Sequence, residues 1–188
     1  YNQDSSIVCA VEKGNGKRCI FGDEGPLEIQ EYKNSRPEGE VIIYDEKGTI
    51  TRRLFVKDGE KHGEETYYWQ SKPSQPKLVI QWNNGQVHGT VKTWYENGTP
   101  ESSREMSRNL KQGTLTGWYT NGELMLIEEY EKDRLVRGDY IKKGSSLPIT
   151  KIRDGKGVAT FFDNDGTFRT RVTYHDGKPV VDDLLSER

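Results

Sequence analysis

The sequence predicts an all-β protein, an elongated and twisted antiparallel meander of stacked β-hairpin repeats. Three observations carry this. Glycines recur at near-constant spacing from Gly39 to Gly177. An aromatic residue stands five positions after nearly every glycine that opens a unit. Only 31% of the residues are apolar while another 31% are charged, too little apolar matter to fill a deep closed core but enough for a thin one. Ten Tyr, four Trp and five Phe spread along the chain argue for an ordered protein, because disordered segments are poor in aromatics. Twenty-eight Lys and Arg are interspersed with thirty Asp and Glu for a net charge of −2, which offers no concentrated basic surface to a nucleic acid. No apolar run approaches the ~20 residues that span a bilayer as a helix, and no signal peptide is visible. The polar start Tyr1-Asn2-Gln3-Asp4 fits a mature end left by processing equally well.

Residues 1–38 form an N-terminal hairpin and cap segment in this reading. Ser6–Lys13 and Lys17–Phe21 are β-type runs joined by Gly14-Asn15-Gly16, a hairpin signal. Folding about Gly14 sets Cys9 opposite Cys19, within reach of a disulfide that would contribute about 2–3 kcal/mol by restricting the unfolded chain. The alternative is a pair of reduced cysteines buried as small hydrophobes. A disulfide implies an oxidising, extracytoplasmic or cell-envelope setting, whereas reduced thiols imply the cytoplasm. Leu27–Tyr32 reads as one strand between turns, capping the array so that its edge is not left open.

The repeat array occupies residues 39–181, followed by a tail at 182–188. Units open near Gly39, Gly63, Gly89, Gly113, Gly138 and Gly157, at separations of 24, 26, 24, 25 and 19 residues. Offset five holds Tyr44, Tyr68, Trp94, Trp118 and Phe162, and the short fifth unit breaks the rule. Lys47-Gly48, Asn97-Gly98, Asn121-Gly122 and Asp165-Gly166 mark the hairpin turns. A third turn point falls at Gly59, Gly85, Asn109, Asp133 and Gly177, residue types that tolerate positive φ. Ser71–Pro76 reads as an enlarged loop in the second unit. A three-residue loop ending in a left-handed glycine pairs offset five with offset eleven, so Tyr44 meets Ile50, Trp118 meets Leu124 and Phe162 meets Phe168. One face is then apolar and the other charged. Leu124–Leu135 alternates as a strand, and no stretch has sustained helical periodicity.

Gly89-Thr90-Val91-Lys92-Thr93-Trp94-Tyr95-Glu96-Asn97-Gly98 and Gly113-Thr114-Leu115-Thr116-Gly117-Trp118-Tyr119-Thr120-Asn121-Gly122 resemble the core of the MORN-repeat variant family. The resemblance implies a non-catalytic β-hairpin scaffold for protein–protein contact or self-association, and a Cys9–Cys19 disulfide would make it an exported or envelope-associated bacterial protein. It also leaves open two other roles: a cytoplasmic, antitoxin-like protein that neutralises a toxin, as in bacterial members labelled antitoxins of the YwqK type, and contact with membrane lipid. It implies no catalytic residues and no cofactor.

The remaining residues offer little chemistry. His62 and His88 each precede an opening glycine, but with no third ligand in the pattern no metal site is expected. His175 reads as a turn residue. Glu128, Glu129, Glu131 and Asp133 read as a solvated strand face rather than a calcium site, since alternating side chains do not converge on one ion. No nucleophile elbow, zinc-protease or P-loop pattern occurs, so the chain is not expected to be an enzyme. Offset six places Trp69, Tyr95 and Tyr119 on the face opposite the aromatic stripe. Together with Trp82 they are the candidate binding residues for a peptide, glycan or second copy.

Overall fold

The computed structural model describes residues 9–180 and shows seventeen β-strands and no helix among them. The chain divides into two compact units, residues 1–88 and 89–188. In the first, β1 (Val11–Glu12), β2 (Asn15–Phe21), β3 (Pro26–Lys33), β4 (Arg36–Tyr44) and β5 (Ile50–Lys57) pair in sequence, each antiparallel to the next. Then β5 pairs with both β6 (Glu60–Lys61) and β7 (Gly63–Trp69), and β7 pairs with β8 (Lys72–Asn83). β9 (Gln86–Trp94) leads into the second unit and pairs there with β10 (Pro100–Ser107). The meander continues through β11 (Leu110–Trp118), β12 (Leu124–Glu131), β13 (Arg134–Ile141), β14 (Pro148–Arg153), β15 (Lys156–Phe162), β16 (Phe168–His175) and β17 (Lys178–Pro179). The all-β hairpin meander expected from the glycine spacing is the observed fold. Ser6–Val8 of the first β-type run and the tail at 182–188 lie outside the described residues.

Two turn types alternate along the chain, and each is dictated by local chemistry. In the wide turn the Asp45 N–H donates to Thr49 O at 2.9 Å and the Gly48 N–H to Asp45 O at 3.0 Å, closing a three-residue loop with Gly48 left-handed at φ 77°. The same pair of bonds closes the loops at Tyr95–Thr99, Tyr119–Glu123 and Asp163–Thr167. The predicted register follows, with Tyr44 opposite Ile50, Trp118 opposite Leu124 and Phe162 opposite Phe168. The tight turn has two consecutive residues at positive φ, the type I′ requirement that matches the twist of the flanking strands. It occurs at Asp58-Gly59, Asn84-Gly85, Arg108-Asn109, Lys132-Asp133 and Asp176-Gly177, the third turn points of the repeat.

Three sequence expectations are corrected. The first hairpin turns at Lys13-Gly14, with φ 48° and 81°, and Val11 pairs with Gly16, so Asn15 and Gly16 belong to β2 and not to the loop. Gly16 pairs with Tyr32 and β3 pairs onward with β4, so the β2–β3 hairpin runs directly into the array. Gly138 does not open the fifth unit. It pairs with Glu128 on one side and Ile152 on the other, at the middle of its strand. Ser71–Pro76 is not a loop: Lys72 pairs with Trp69 and Pro76 with Tyr68, and the extra residues form a bulge.

The buried column is not the aromatic stripe. It runs through offsets two and fifteen, where Val41 pairs with Leu54, Glu65 with Ile80, Val91 with Arg104, Leu115 with Glu128 and Ala159 with Val172. Val41, Leu54 and Val91 are each 6% exposed, Ala159 is fully buried and Glu128 is 4% exposed. Burying each Val or Leu contributes about 1.5–3 kcal/mol. In the second unit the column broadens into a cluster of Leu126, Tyr130, Leu135, Tyr140, Ile152 and Ala159.

Candidate functional site

Two carboxylates sit in the buried column, and the two units neutralise them differently. In residues 1–88 the Glu65 side chain is fully buried and forms an ion pair with Arg52. Lys61 Nζ donates to Glu65 Oε2 at 3.0 Å and Trp82 Nε1–H donates to the same oxygen at 2.7 Å. The Lys61 ammonium also lies 4.4 Å from the centre of the Trp82 ring, a cation–π contact. Burial alone would raise the Glu65 carboxyl above the usual range, but the hydrogen bonds from Lys61 and Tyr67 and the charge of Arg52 outweigh it and lower it. In the second unit, Glu128 has no ion-pair partner among the described residues. Tyr130 donates to its Oε2 at 3.0 Å and Tyr140 to its Oε1 at 2.6 Å. Burial first, then the Glu128 charge, pushes both phenols well above the ordinary tyrosine value. Glu128 is thus no part of a solvated face, whereas Glu129 and Glu131 are exposed as expected.

The candidate binding residues have separate fates. Trp69 is half-buried with Lys77 Nζ 4.6 Å from its ring centre, and its Nε1–H is shielded without a partner. Trp82 is half-buried and held by Glu65. Tyr95 is half-buried and its hydroxyl donates to Trp118 O at 2.6 Å. Tyr119, expected to be partly exposed, is fully buried, and its hydroxyl donates to Ile141 O at 2.8 Å. The physical reason is strand alternation. Offset six does lie across the sheet from Trp118, but it shares a side with offset two, which is the buried side. Tyr119 is therefore withdrawn from the binding surface.

Tyr95 and Tyr119 instead tie each hairpin to the next, 23 and 22 residues along the chain. Because Tyr119 is buried, Tyr119→Phe strands the Ile141 carbonyl away from water and is expected to cost about 1–3 kcal/mol. Tyr95→Phe, at a half-exposed position, is expected to cost less. Equilibrium urea unfolding of both variants checks the order, and equal midpoints would contradict it.

Of the concave surfaces among the described residues, two are lined by candidate binding residues. In the first unit an open groove of about 390 Å³ is lined by His62, Glu64, Gln81, Trp82, Asn83 and His88. It brings the two histidines together, but no group of three or more His, Cys, Asp or Glu suited to a metal ion occurs among the described residues. His62 occupies the break between β6 and β7, its backbone N–H donating to Phe55 O at 2.9 Å. In the second unit a cleft of about 570 Å³ has Tyr95, Trp118 and Phe162 as its aromatic walls. Sequence reasoning missed this cleft because its residues come from three different hairpins. The short fifth hairpin lets the loop after β11 meet the loop after β15, where Thr120 Oγ1 donates to Asn164 O at 3.3 Å.

Cys9 and Cys19 are joined as a disulfide with Cα atoms 5.5 Å apart. No helix among the described residues is long and apolar enough to cross a membrane. Residues 87–106, which contain β9 and most of β10 with the wide turn between them, match the family described as MORN repeat variant. Residues 87–106 thus form one MORN-variant repeat. No curated protein matches the chain. In the matched MORN-variant unit Asn97 shows what its turn residue does. Its Oδ1 accepts the Thr99 N–H at 2.9 Å, and its Nδ2 donates to Thr120 O of the next unit at 2.9 Å. One side chain shapes its own turn and fastens the following hairpin.

Proposed function

We propose that this repeat protein is an exported or envelope-associated scaffold that binds another protein or a further copy of itself. The observation that carries the reading is the combination of a repeat array of a generally non-catalytic family with an aromatic-walled cleft open to solvent. Interaction surfaces are enriched in such aromatics, which offer large contact area at low entropic cost. Trp69, Trp82 and Tyr95 remain the side chains proposed to contribute to binding.

The Cys9–Cys19 bond supports the location, since disulfides persist in oxidising compartments and are rare in the cytosol. It disfavours the cytoplasmic toxin-neutralising alternative. Intact mass after thiol alkylation without reductant, on protein from its native compartment, is expected to show both cysteines unalkylated and the chain two hydrogens light. Ready alkylation of both would sink the exported reading.

The scaffold reading is tested with a photo-crosslinking residue placed in the native cell at Leu147 or Phe55, which are 73% and 48% exposed. Discrete protein adducts at one of these positions are expected. Their absence at both, in folded protein at native abundance, would overturn it.

A further inference from the structure

The cleft of the second unit has a chemical character that its walls define. Its lining includes the apolar Leu115, Met125 and Leu126 and the aromatics Tyr95, Trp118 and Phe162, of which Phe162 is 8% exposed. Its lining also holds three carboxylates, Glu101, Asp163 and Asp165, and one guanidinium, Arg169, while Lys143 Nζ donates to Asp165 O at 3.2 Å beside it. Asp165 Oδ1 is engaged by the Thr167 N–H at 2.8 Å and so serves its own turn. Glu101 and Asp163 are exposed, and their carboxylates show no hydrogen bond or ion pair among the described residues.

A cleft lined by aromatics and carboxylates selects an organic cation. The electron-rich ring faces attract a cation, and the carboxylates supply its counter-charge. A long aliphatic stem ending in charge fits further, because its methylenes bury against the apolar lining while its head stays in water. The volume of about 570 Å³ falls inside the range of ligand sites, roughly 300–1,000 Å³. Its broad opening suits a side chain presented by a peptide rather than an enclosed small molecule.

We propose that this cleft docks an arginine- or lysine-bearing segment of a protein partner. Arginine is the better fit, since a planar guanidinium stacks on an aromatic face and pairs a carboxylate at the same time. The assignment rests on the scaffold reading and narrows it to one surface and one partner chemistry.

The test is a heteronuclear NMR titration of the whole chain with the peptide acetyl-Gly-Arg-Gly-Arg-Gly-amide, using its Glu-for-Arg and Ala-for-Arg counterparts as controls. The arginine peptide is expected to shift the Trp118 indole and Met125 methyl signals. Glu101→Gln combined with Asp163→Asn, at two exposed positions whose loss leaves the fold intact, is expected to weaken binding at least about fivefold. Added salt is expected to weaken it as well. Equal shifts from the alanine peptide, or an unchanged affinity in the double variant with its folded spectrum retained, would overturn the proposal. A silent cleft alongside protein cross-links at Leu147 or Phe55 discards this inference and keeps the scaffold. Loss of both discards the scaffold too.

Discussion

Glu65→Ala is expected to destabilise residues 1–88 by about 3–5 kcal/mol, the usual cost of breaking a buried ion pair from one side. The carboxylate is fully buried, while its two cationic partners, Arg52 and Lys61, keep 25% and 33% of their side-chain surface. Partial access to water lets the abandoned cations recover some hydration, which places the result toward the lower end. Trp82 also loses the acceptor of its indole N–H. Urea unfolding followed by tryptophan fluorescence measures the change, and a loss below about 1 kcal/mol would show the cluster to be no more than a surface network. Glu65→Gln keeps the shape and separates charge from packing.

The same residue sets an acid limit. Its carboxyl is lowered in the folded protein despite burial, because Lys61, Tyr67 and Arg52 favour the ionised form. A depressed carboxylate contributes stability that is complete above its unfolded value and is lost as pH falls through its folded value. The first unit is therefore expected to lose stability progressively in acid below the ordinary glutamate range. In Glu65→Gln that part of the acid dependence should disappear, although the variant starts less stable at neutral pH. An identical acid slope in both proteins would assign the dependence to other carboxylates.

What could be read from the sequence was whatever the backbone forces on residue choice. A left-handed position admits Gly, Asn or Asp with little strain, so Gly48, Asn109 and Asp133 announce their turns, and the turns fix the register that sets Trp118 opposite Leu124. The column at offsets two and fifteen was hidden because its members share burial but not chemistry. Val41 looks like core, whereas Glu65 and Glu128 look like surface until their partners are in place. Those partners come from other strands: Arg52 and Trp82 for one, Tyr140 for the other. Gly138 misled for a related reason. Its absent side chain serves packing, since a Cβ there would lie 2.8 Å from the Tyr140 hydroxyl, and no turn requires it. The candidate site was legible as single aromatics and not as a cleft, because the walls are contributed by hairpins that only the fold brings together.

Tyr140 joins both kinds of hidden information, and Tyr140→Ala is expected to cost the second unit about 3–5 kcal/mol, the range for removing a large buried ring. The ring is fully buried, with Phe161 edge-on at 5.4 Å, and its hydroxyl supplies one of the two hydrogen bonds to Glu128. Tyr140→Phe retains the ring and removes only the donor. It should cost about 1.5–3 kcal/mol, because the bond it deletes is made to a buried carboxylate. Pairing Tyr140→Phe with Glu128→Leu isolates the coupling, and additive losses would show that hydroxyl and carboxylate do not depend on each other. Alkali gives an independent reading. Burial and the Glu128 charge raise Tyr140 and Tyr130 above the ordinary tyrosine value, so the fold holds them neutral. Stability from a raised acid is complete below its unfolded value, about 10 for tyrosine, and is lost as pH climbs beyond it. Above about pH 10 the second unit should weaken, with Tyr130 and Tyr140 ionising together with unfolding rather than before it. Tyr140→Phe should lessen that slope, and an unchanged slope would assign the alkaline loss to other groups.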